Sequence, residues 1–383
     1  MDRFIETTPF FSSDHRTLAA RMAEFAEREV EARAGDDEHD VDEALRGYVL
    51  LLAEADLLRY AVTQPSQPLD LRSLCIIREV LAYSSSLADL AFVMQGLGTY
   101  AISLAATEHV RDFWLARAAS GKAIAAFAVT EPDAGSDVAA IKTTARREDD
   151  AYIMDGRKRF ISNAGVADFY TVFARTGTRD DGRAEISAFI VSARMPGFSV
   201  SERTEMIAPH PIGELEFKAC KVPAEDMIGA QGDGLRLALQ TLDTFRASVG
   251  AAACGMARRA LDESILHAKS REQFGRTLSS HQLIQEKLAD MATDLDAARL
   301  LVYRAAYLKD SAERSTREAS EAKLFATEAA SRTIDQAVQI HGGSGLVRGS
   351  VVERLYRDVR ALRIYEGTSE IQKLVIANQL LKE

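Results

Sequence analysis

The chain has 383 residues, more than one compact hydrophobic core usually serves, so two or three packed regions are expected. Hydrophobic residues make up 47% and charged residues 27%, an ordinary globular balance that excludes wholesale disorder. A formal net charge of −10 excludes a sequence-independent nucleic-acid binder, though not a small anionic ligand.

The first residues lack a basic start leading into an apolar run, and no stretch approaches about 20 uninterrupted apolar residues, so no membrane span is expected and the cytoplasm is the default location. Residues 1–122 read as helical, because stretches 15–32 and 41–57 are rich in Ala, Leu, Glu and Arg with apolar residues at helical spacing. Cys75, Cys220 and Cys254 lie far apart with no C-x-x-C pair, and the seven histidines form no H-E-x-x-H cluster. Idle or buried thiols and no metal site are therefore expected.

Residues 123–230 change character. Short β-rich runs occur at 169–173, 186–191, 215–217 and 222–223, with Asp155-Gly156 and Asp181-Gly182 supplying turn chemistry between runs. From residue 231 to 383 helices return. Ile284, Leu288, Met291, Leu295, Ala298, Val302 and Ala305 alternate spacings of four and three, which places them on one stripe of a long helix. A second, Ala-rich helix over about 317–340 is expected to end at a left-handed cap formed by Gly342 and Gly343.

Four segments have residue types that suit chemistry. Residues 129–137 combine Thr130, Gly135 and Ser136 in a turn that could offer N–H and hydroxyl donors, although an ordinary turn has the same composition. Arg271, with Phe274 three residues on, suits a phosphate and a ring face, or a salt bridge and core filling. Gln339 and the glycines at 342, 343 and 345 bring bare backbone to a helix end without Walker or Rossmann spacing, and His341 reads as a packing residue. Tyr365-Glu366-Gly367-Thr368 precedes the last helix; a carboxylate there can face a cleft, but by itself Glu366 reads first as a capping or dipole-neutralising carboxylate.

In this order and at these separations, the four segments resemble the acyl-CoA dehydrogenase family over nearly the whole chain. The resemblance implies a mainly helical protein with a central β domain: an N-terminal helical domain, a small β-barrel or sandwich-like domain and a C-terminal four-helix bundle. It implies FAD as cofactor, with Phe127, Val129 and Thr130 at the flavin ring, Gly135 and Ser136 at FAD or the thioester, and Phe160 and Ser162 in the segment covering the ring. In that segment Ser162 stands where the family more often has threonine, and Ala164 where it has glycine. Arg271, Phe274, Gln339, Gly342 and Gly343 match residues that meet the FAD of a neighbouring subunit, which implies a homo-oligomer, most often a tetramer. Thr368 matches a further FAD contact. Asp243, Arg246, Tyr365 and Gly367 match positions near the acyl-CoA, as does Ser136.

Family members carry the catalytic glutamate either in the Tyr-Glu-Gly-Thr segment or just before the arginine matching Arg246. The second position here is Phe245, so the resemblance gives the role of base to Glu366. The expected reaction is α,β-dehydrogenation of an acyl-CoA to the trans-2-enoyl-CoA, the hydride passing to flavin N5 and electrons then to an electron-transferring flavoprotein. An acyl-CoA oxidase, which is typically longer, a dehydrogenase of carrier-protein thioesters, and a non-catalytic scaffold are the other readings. Residues 365–372 and the tail look most like short-chain or branched-chain members. The unusual wording of residues 206–213, with His210 and Pro211, suggests an uncommon or cyclic acyl group.

Overall fold

A computed structural model describes residues 2–65 and 67–382. The first part is helical: α1 (Arg3–Thr7), α2 (Ser13–Phe25, continued by a π-helical turn Ala26–Val30), α3 (Val41–Glu54), α4 (Leu71–Ser84), α5 (Ser86–Ala105) and α6 (Glu108–Ala119). Helices start where a short polar side chain can take an otherwise orphaned backbone N–H. Ser12 caps His15, Asp40 caps Glu43 and Asp70 caps Ser73.

The central part is a sheet of eight strands: β1 (Ala125–Ala128), β2 (Thr144–Glu148), β3 (Ala151–Ser162), β4 (Phe169–Thr178), β5 (Ala184–Ser192), β6 (Phe198–Arg203), β7 (Ile212–Pro223) and β8 (Met227–Ile228). Hydrogen bonding runs in the order β6-β7-β3-β2-β4-β5-β8, with β1 added in parallel to β4. Asp181-Gly182 does turn β4 into β5, with Gly182 at φ 81°. Asp155-Gly156 is a correction: it does not separate strands but lies inside β3, where the register to β7 shifts between Met154 and Gly156. Gly156 is at φ 144° and a Cβ there would sit 2.7 Å from the Thr143 Cα, so the glycine serves a β-bulge and a close approach. The turn from β2 to β3 uses Asp149, at φ 50°.

Helices α7 (Gly234–Ser270), α8 (Gln282–Asp310), α9 (Thr316–His341), α10 (Val351–Leu362) and α11 (Ser369–Leu380) complete the chain, with a small hairpin of β9 (Glu272–Gln273) and β10 (Arg276–Thr277) between the first two. Five of the seven stripe residues on α8, from Met291 to Ala305, are buried, and Ile284 and Leu288 are partly so. α9 ends with Gly342 at φ 59° and ψ −137°, a glycine conformation outside the left-handed helical basin that was expected.

Close packing divides the chain into two units, one of residues 1–38, 70–89 and 245–383, the other of residues 39–69 and 90–244. The first is tied together by ion pairs between distant segments: Arg72 Nε to Asp310 at 2.7 Å, Arg299 Nη2 to Glu79 at 3.0 Å, and Arg299 to Asp2. In the second, the fully buried Gln95 side chain donates to the carbonyls of Ala118 and Ala123 and accepts from Ala125 N–H at 2.7 Å, fixing α5 to the start of β1. α5 is long and apolar enough to cross a membrane, but 83% of that window is buried in the protein. The three cysteines are free and buried, and no metal-ligating cluster occurs among the described residues.

Candidate active site

Two groups of side chains, one in each unit, stand out from their surroundings. In the sheet unit, β1 ends at Ala128 and the chain makes a tight turn in which Glu131 and Ala134 exchange backbone hydrogen bonds of 3.0 and 3.2 Å. The turn is anchored from below. Lys158 on β3, fully buried, donates to the Val129 carbonyl at 3.1 Å and to Glu131 Oε1 at 2.7 Å. Glu131 also accepts the backbone N–H groups of Lys142 and Thr143. Burial brings the Lys158 amine down to about 8, while the Lys158 charge overcomes burial at Glu131 and holds that carboxyl below its usual range.

That anchoring leaves Phe127 and Thr130 partly buried and Gly135 and Ser136 exposed, while Val129 is buried. A Cβ built on Gly135 would have no atom of the chain within 4 Å. β3 then bulges between Lys158 and Ile161. Phe160 sits in the bulge at φ 54°, half exposed, with the Arg159 guanidinium 5.0 Å from its ring. A bulky aromatic residue in the left-handed region, aimed out of the sheet, is a costly arrangement that ordinary packing does not require. Ser162 follows, its Oγ 2.8 Å from His210 Nε2, and burial pushes that imidazole down to about 4. Asn163, at φ 62°, donates to the Ala125 carbonyl.

In the helical unit the centre is Glu366, another non-glycine residue in the left-handed region at φ 52°, followed by Gly367 at φ 89°. Its Oε2 is buried and has no hydrogen-bond partner. Burial pushes the carboxyl above the ordinary range, and Arg78, Lys323 and Arg246 pull it back. Arg78 on α4 is itself buried, paired with Asp89 through two 2.7 Å hydrogen bonds and donating to Ser248 Oγ at 2.8 Å. Burial pushes the neighbouring Tyr365 phenol up. Arg246 on α7 is buried and donates to Ser320 Oγ of α9 at 3.3 Å. Phe245 before Arg246 is fully buried, and Asp243, which falls in the sheet unit, is partly buried. Thr368 caps α11 through Ile371 N–H.

Two further expected residue sets in this unit lie at its surface. Phe274, at φ 54° in the β9–β10 hairpin, is 94% exposed, and Arg271 beside it is exposed. Gln339, Gly342 and Gly343 are also exposed, with open space around both glycines. His341 packs as expected: its Nδ1 lies 2.8 Å from the Ala337 carbonyl and its ring stacks on His267.

Sequence reading missed Lys158, Arg78 and Lys323. One signal was available for the last. Lys323 lies on α9 among Ala319, Ala322 and Ala326, all buried, so a polar residue on that face needs an internal partner.

Residues 12–122, 126–220 and 232–381 match the N-terminal, middle and C-terminal domain models of acyl-CoA dehydrogenases. The 3-(aryl)acrylate reductase of Clostridium sporogenes is 38% identical over 97% of this chain and 100% of its own length. Butyryl-CoA dehydrogenase from Megasphaera elsdenii superimposes with a TM-score of 0.89 at 33% identity, over 97% of this chain and 99% of that one. An acyl-CoA dehydrogenase from Bacillus anthracis, solved with FAD, gives a TM-score of 0.86 at 32% identity, over 98% and 68% of the two chains. With three domain models in chain order and relatives matching end to end, the chain belongs to the acyl-CoA dehydrogenase family and is an FAD-dependent oxidoreductase.

Proposed function

We propose that the protein converts an acyl-CoA to its trans-2-enoyl-CoA, with Glu366 removing the α-proton. The observation that carries this is the Glu366 carboxyl: pushed up by burial, without a hydrogen-bond partner at Oε2, and held in a strained backbone conformation. A carboxylate serving only as a helix cap would spend its oxygens on backbone N–H groups, whereas the cap here is Thr368. A base must be ionised yet not stabilised by hydrogen bonds, and a raised pKa brings its strength toward what abstraction next to a thioester demands.

The residues present fit FAD. Thr130, Ser136 and Ser162 supply hydroxyls, Phe160 an outward aromatic face, and Gly135 a backbone open to close approach. Phe127 and Val129 complete that wall, and the resemblance to the family assigns Thr368 a further contact with FAD. FAD, when bound, supplies the two-electron acceptor for the hydrogen leaving the β-carbon. In our reading Arg271, Phe274, Gln339, Gly342 and Gly343 serve the FAD of a neighbouring copy in a homotetramer, which accounts for an almost fully exposed phenylalanine. Asp243, Arg246, Tyr365 and Gly367 serve the acyl-CoA, and an electron-transferring flavoprotein takes the electrons onward.

A second reading concerns the acyl group. The full-length relative named a 3-(aryl)acrylate reductase favours a ring-bearing chain, since reducing an arylacrylate and dehydrogenating an arylpropanoyl thioester exchange two hydrogens across the same pair of carbons in opposite directions. Anaerobic titration with butyryl-, isobutyryl-, cyclohexanoyl- and 3-phenylpropanoyl-CoA tests both readings. Bleaching of the yellow protein with formation of the matching enoyl-CoA supports dehydrogenation. Peroxide equal to turnover in air would instead make it an oxidase.

A further inference from the structure

We propose that Lys323 is a positioning residue for this dehydrogenation, holding the Glu366–Gly367 turn in the conformation that presents the base. The proposal rests on the reading of Glu366 as that base.

Lys323 is fully buried on α9, where an amine is stable only with good partners. Its Nζ donates to the Gly367 carbonyl at 2.7 Å. The equally buried Gln372, on α11, donates through Nε2 to the same carbonyl at 2.9 Å and to the Glu366 carbonyl at 3.2 Å. Two donors from two helices therefore converge on two successive carbonyls. Those carbonyls belong to residues at φ 52° and 89°, a pair of conformations that persists only where the surroundings over-determine it. A Cβ on Gly367 would lie 2.5 Å from Gln372 Nε2, so the clamp closes tightly on the turn. The 366–367 peptide plane flanks the Glu366 Cα and the 367–368 plane follows it, so holding both carbonyls restrains the ψ of Glu366 and narrows the directions in which its side chain can leave the backbone.

The same amine is also a charge close to the base. The charged groups facing Lys323 are Glu366, Arg246 on α7, Glu328 on its own helix and Glu370 on α11; burial brings it down to about 8. Those facing Glu366 are Arg78 on α4, Asp89 on α5, Arg246 on α7 and Lys323 itself. A protonated Lys323 favours the carboxylate form of Glu366, so removing it moves the acid limb of the reaction to higher pH.

The test is the limiting rate of anaerobic flavin bleaching by butyryl-CoA, or by 3-phenylpropanoyl-CoA where that bleaches wild type faster, measured across pH on FAD-loaded protein. Lys323→Met should lower the limiting rate about tenfold or more while the apparent Kd for the acyl-CoA changes less than about threefold, with the acid limb shifted up. Lys323→Arg, which keeps donor and charge, should return the limb to its wild-type position. A Lys323→Met rate within about twofold of wild type, with the limb unmoved, overturns the proposal. Should that variant fail to fold, Gln372→Leu removes the opposing donor and leaves the charge: a lower rate with an unmoved limb supports the clamp, and an unchanged rate overturns it. Glu366→Gln is measured alongside. If it is inactive while Lys323→Met is normal, only the positioning role falls; if it bleaches at full rate, the base assignment falls and this proposal with it.

Discussion

The Ser162 hydroxyl lies 2.8 Å from Nε2 of His210, so a serine on β3 is held by an imidazole 48 residues further along the chain. A serine lacks the second Cβ substituent that stiffens threonine at χ1, and the hydrogen bond to His210 restores that restriction. The contact gives His210 a role beside Ser162, in a stretch whose wording suggests an uncommon or cyclic acyl group.

Because burial lowers the His210 pKa from 6.5 to about 4, the unfolded chain binds more protons than the folded one between those values. Stability contributed by the neutral imidazole is therefore present above pH 6.5 and is lost as pH falls toward 4. Urea unfolding at pH 7 and at pH 5 should show a drop in wild type that His210→Gln lacks. Equal drops in both would show that His210 is not the group responsible. His210→Ala should also shift the visible spectrum of bound FAD, since Ser162 loses its restraint.

The Lys158–Glu131 pair predicts an asymmetry between single and double substitutions. Lys158→Met strands a buried carboxylate that accepts two backbone N–H groups, and should cost about 3–5 kcal/mol in unfolding free energy. Lys158→Met combined with Glu131→Gln should recover part of that loss, because the buried charge is gone while one amide oxygen still accepts a backbone N–H and the amide NH2 faces the other. A single variant as stable as wild type in denaturant would contradict the account of the turn at residues 129–136.

Much of this architecture was legible in the sequence, and the parts that were not share a cause. The α8 stripe, the strands at 169–173 and 186–191, and the start of α11 at Thr368 and Ser369 all follow from local periodicity or capping chemistry. Asp155-Gly156 misled because the same dipeptide serves a turn or a bulge, and only the partner strand decides. Arg78 and Lys158 gave no signal because each is a charged residue in an amphipathic stretch whose partners are fixed by the fold, and the one signal for Lys323, its place on a buried alanine face, does not reveal that its partner is a backbone carbonyl. The positive φ angles of Phe160, Phe274 and Glu366 had no signal either, since glycine and asparagine are the residues that usually announce them. Two of the four segments chosen for chemistry contain such a residue, Phe274 and Glu366, while Asp56, Asp149, Asn163, Ala219 and Ala312 take positive φ elsewhere in the chain.

Phe274 and Gly343 separate subunit folding from cofactor retention. Phe274→Ala removes a side chain that is 94% exposed, and Gly343→Ala adds a methyl group into open space at a residue whose φ is not positive. Neither should change urea unfolding of the cofactor-free chain by more than about 0.5 kcal/mol. Both should lower FAD content after gel filtration, and Phe274→Ala should do so more at low protein concentration. Full FAD content in both variants would remove these residues from the cofactor site.

Gly367→Ala tests the strained turn itself. At φ 89° an alanine costs about 1–2 kcal/mol from backbone conformation alone, and its Cβ would meet Gln372 Nε2. A lower melting temperature together with slower flavin bleaching is expected; loss of stability with an unchanged bleaching rate would show that the turn's shape does not matter to the chemistry.

The central claim is that Glu366 takes the α-proton, and the most direct measurement is anaerobic stopped-flow bleaching of FAD-loaded Glu366→Gln by a saturating acyl-CoA that bleaches wild type. Glutamine keeps the size and position of the side chain but cannot accept the proton. The variant should stay yellow and bind the thioester while its bleaching rate falls by at least about 10³-fold, whereas bleaching at the wild-type rate would contradict the assignment.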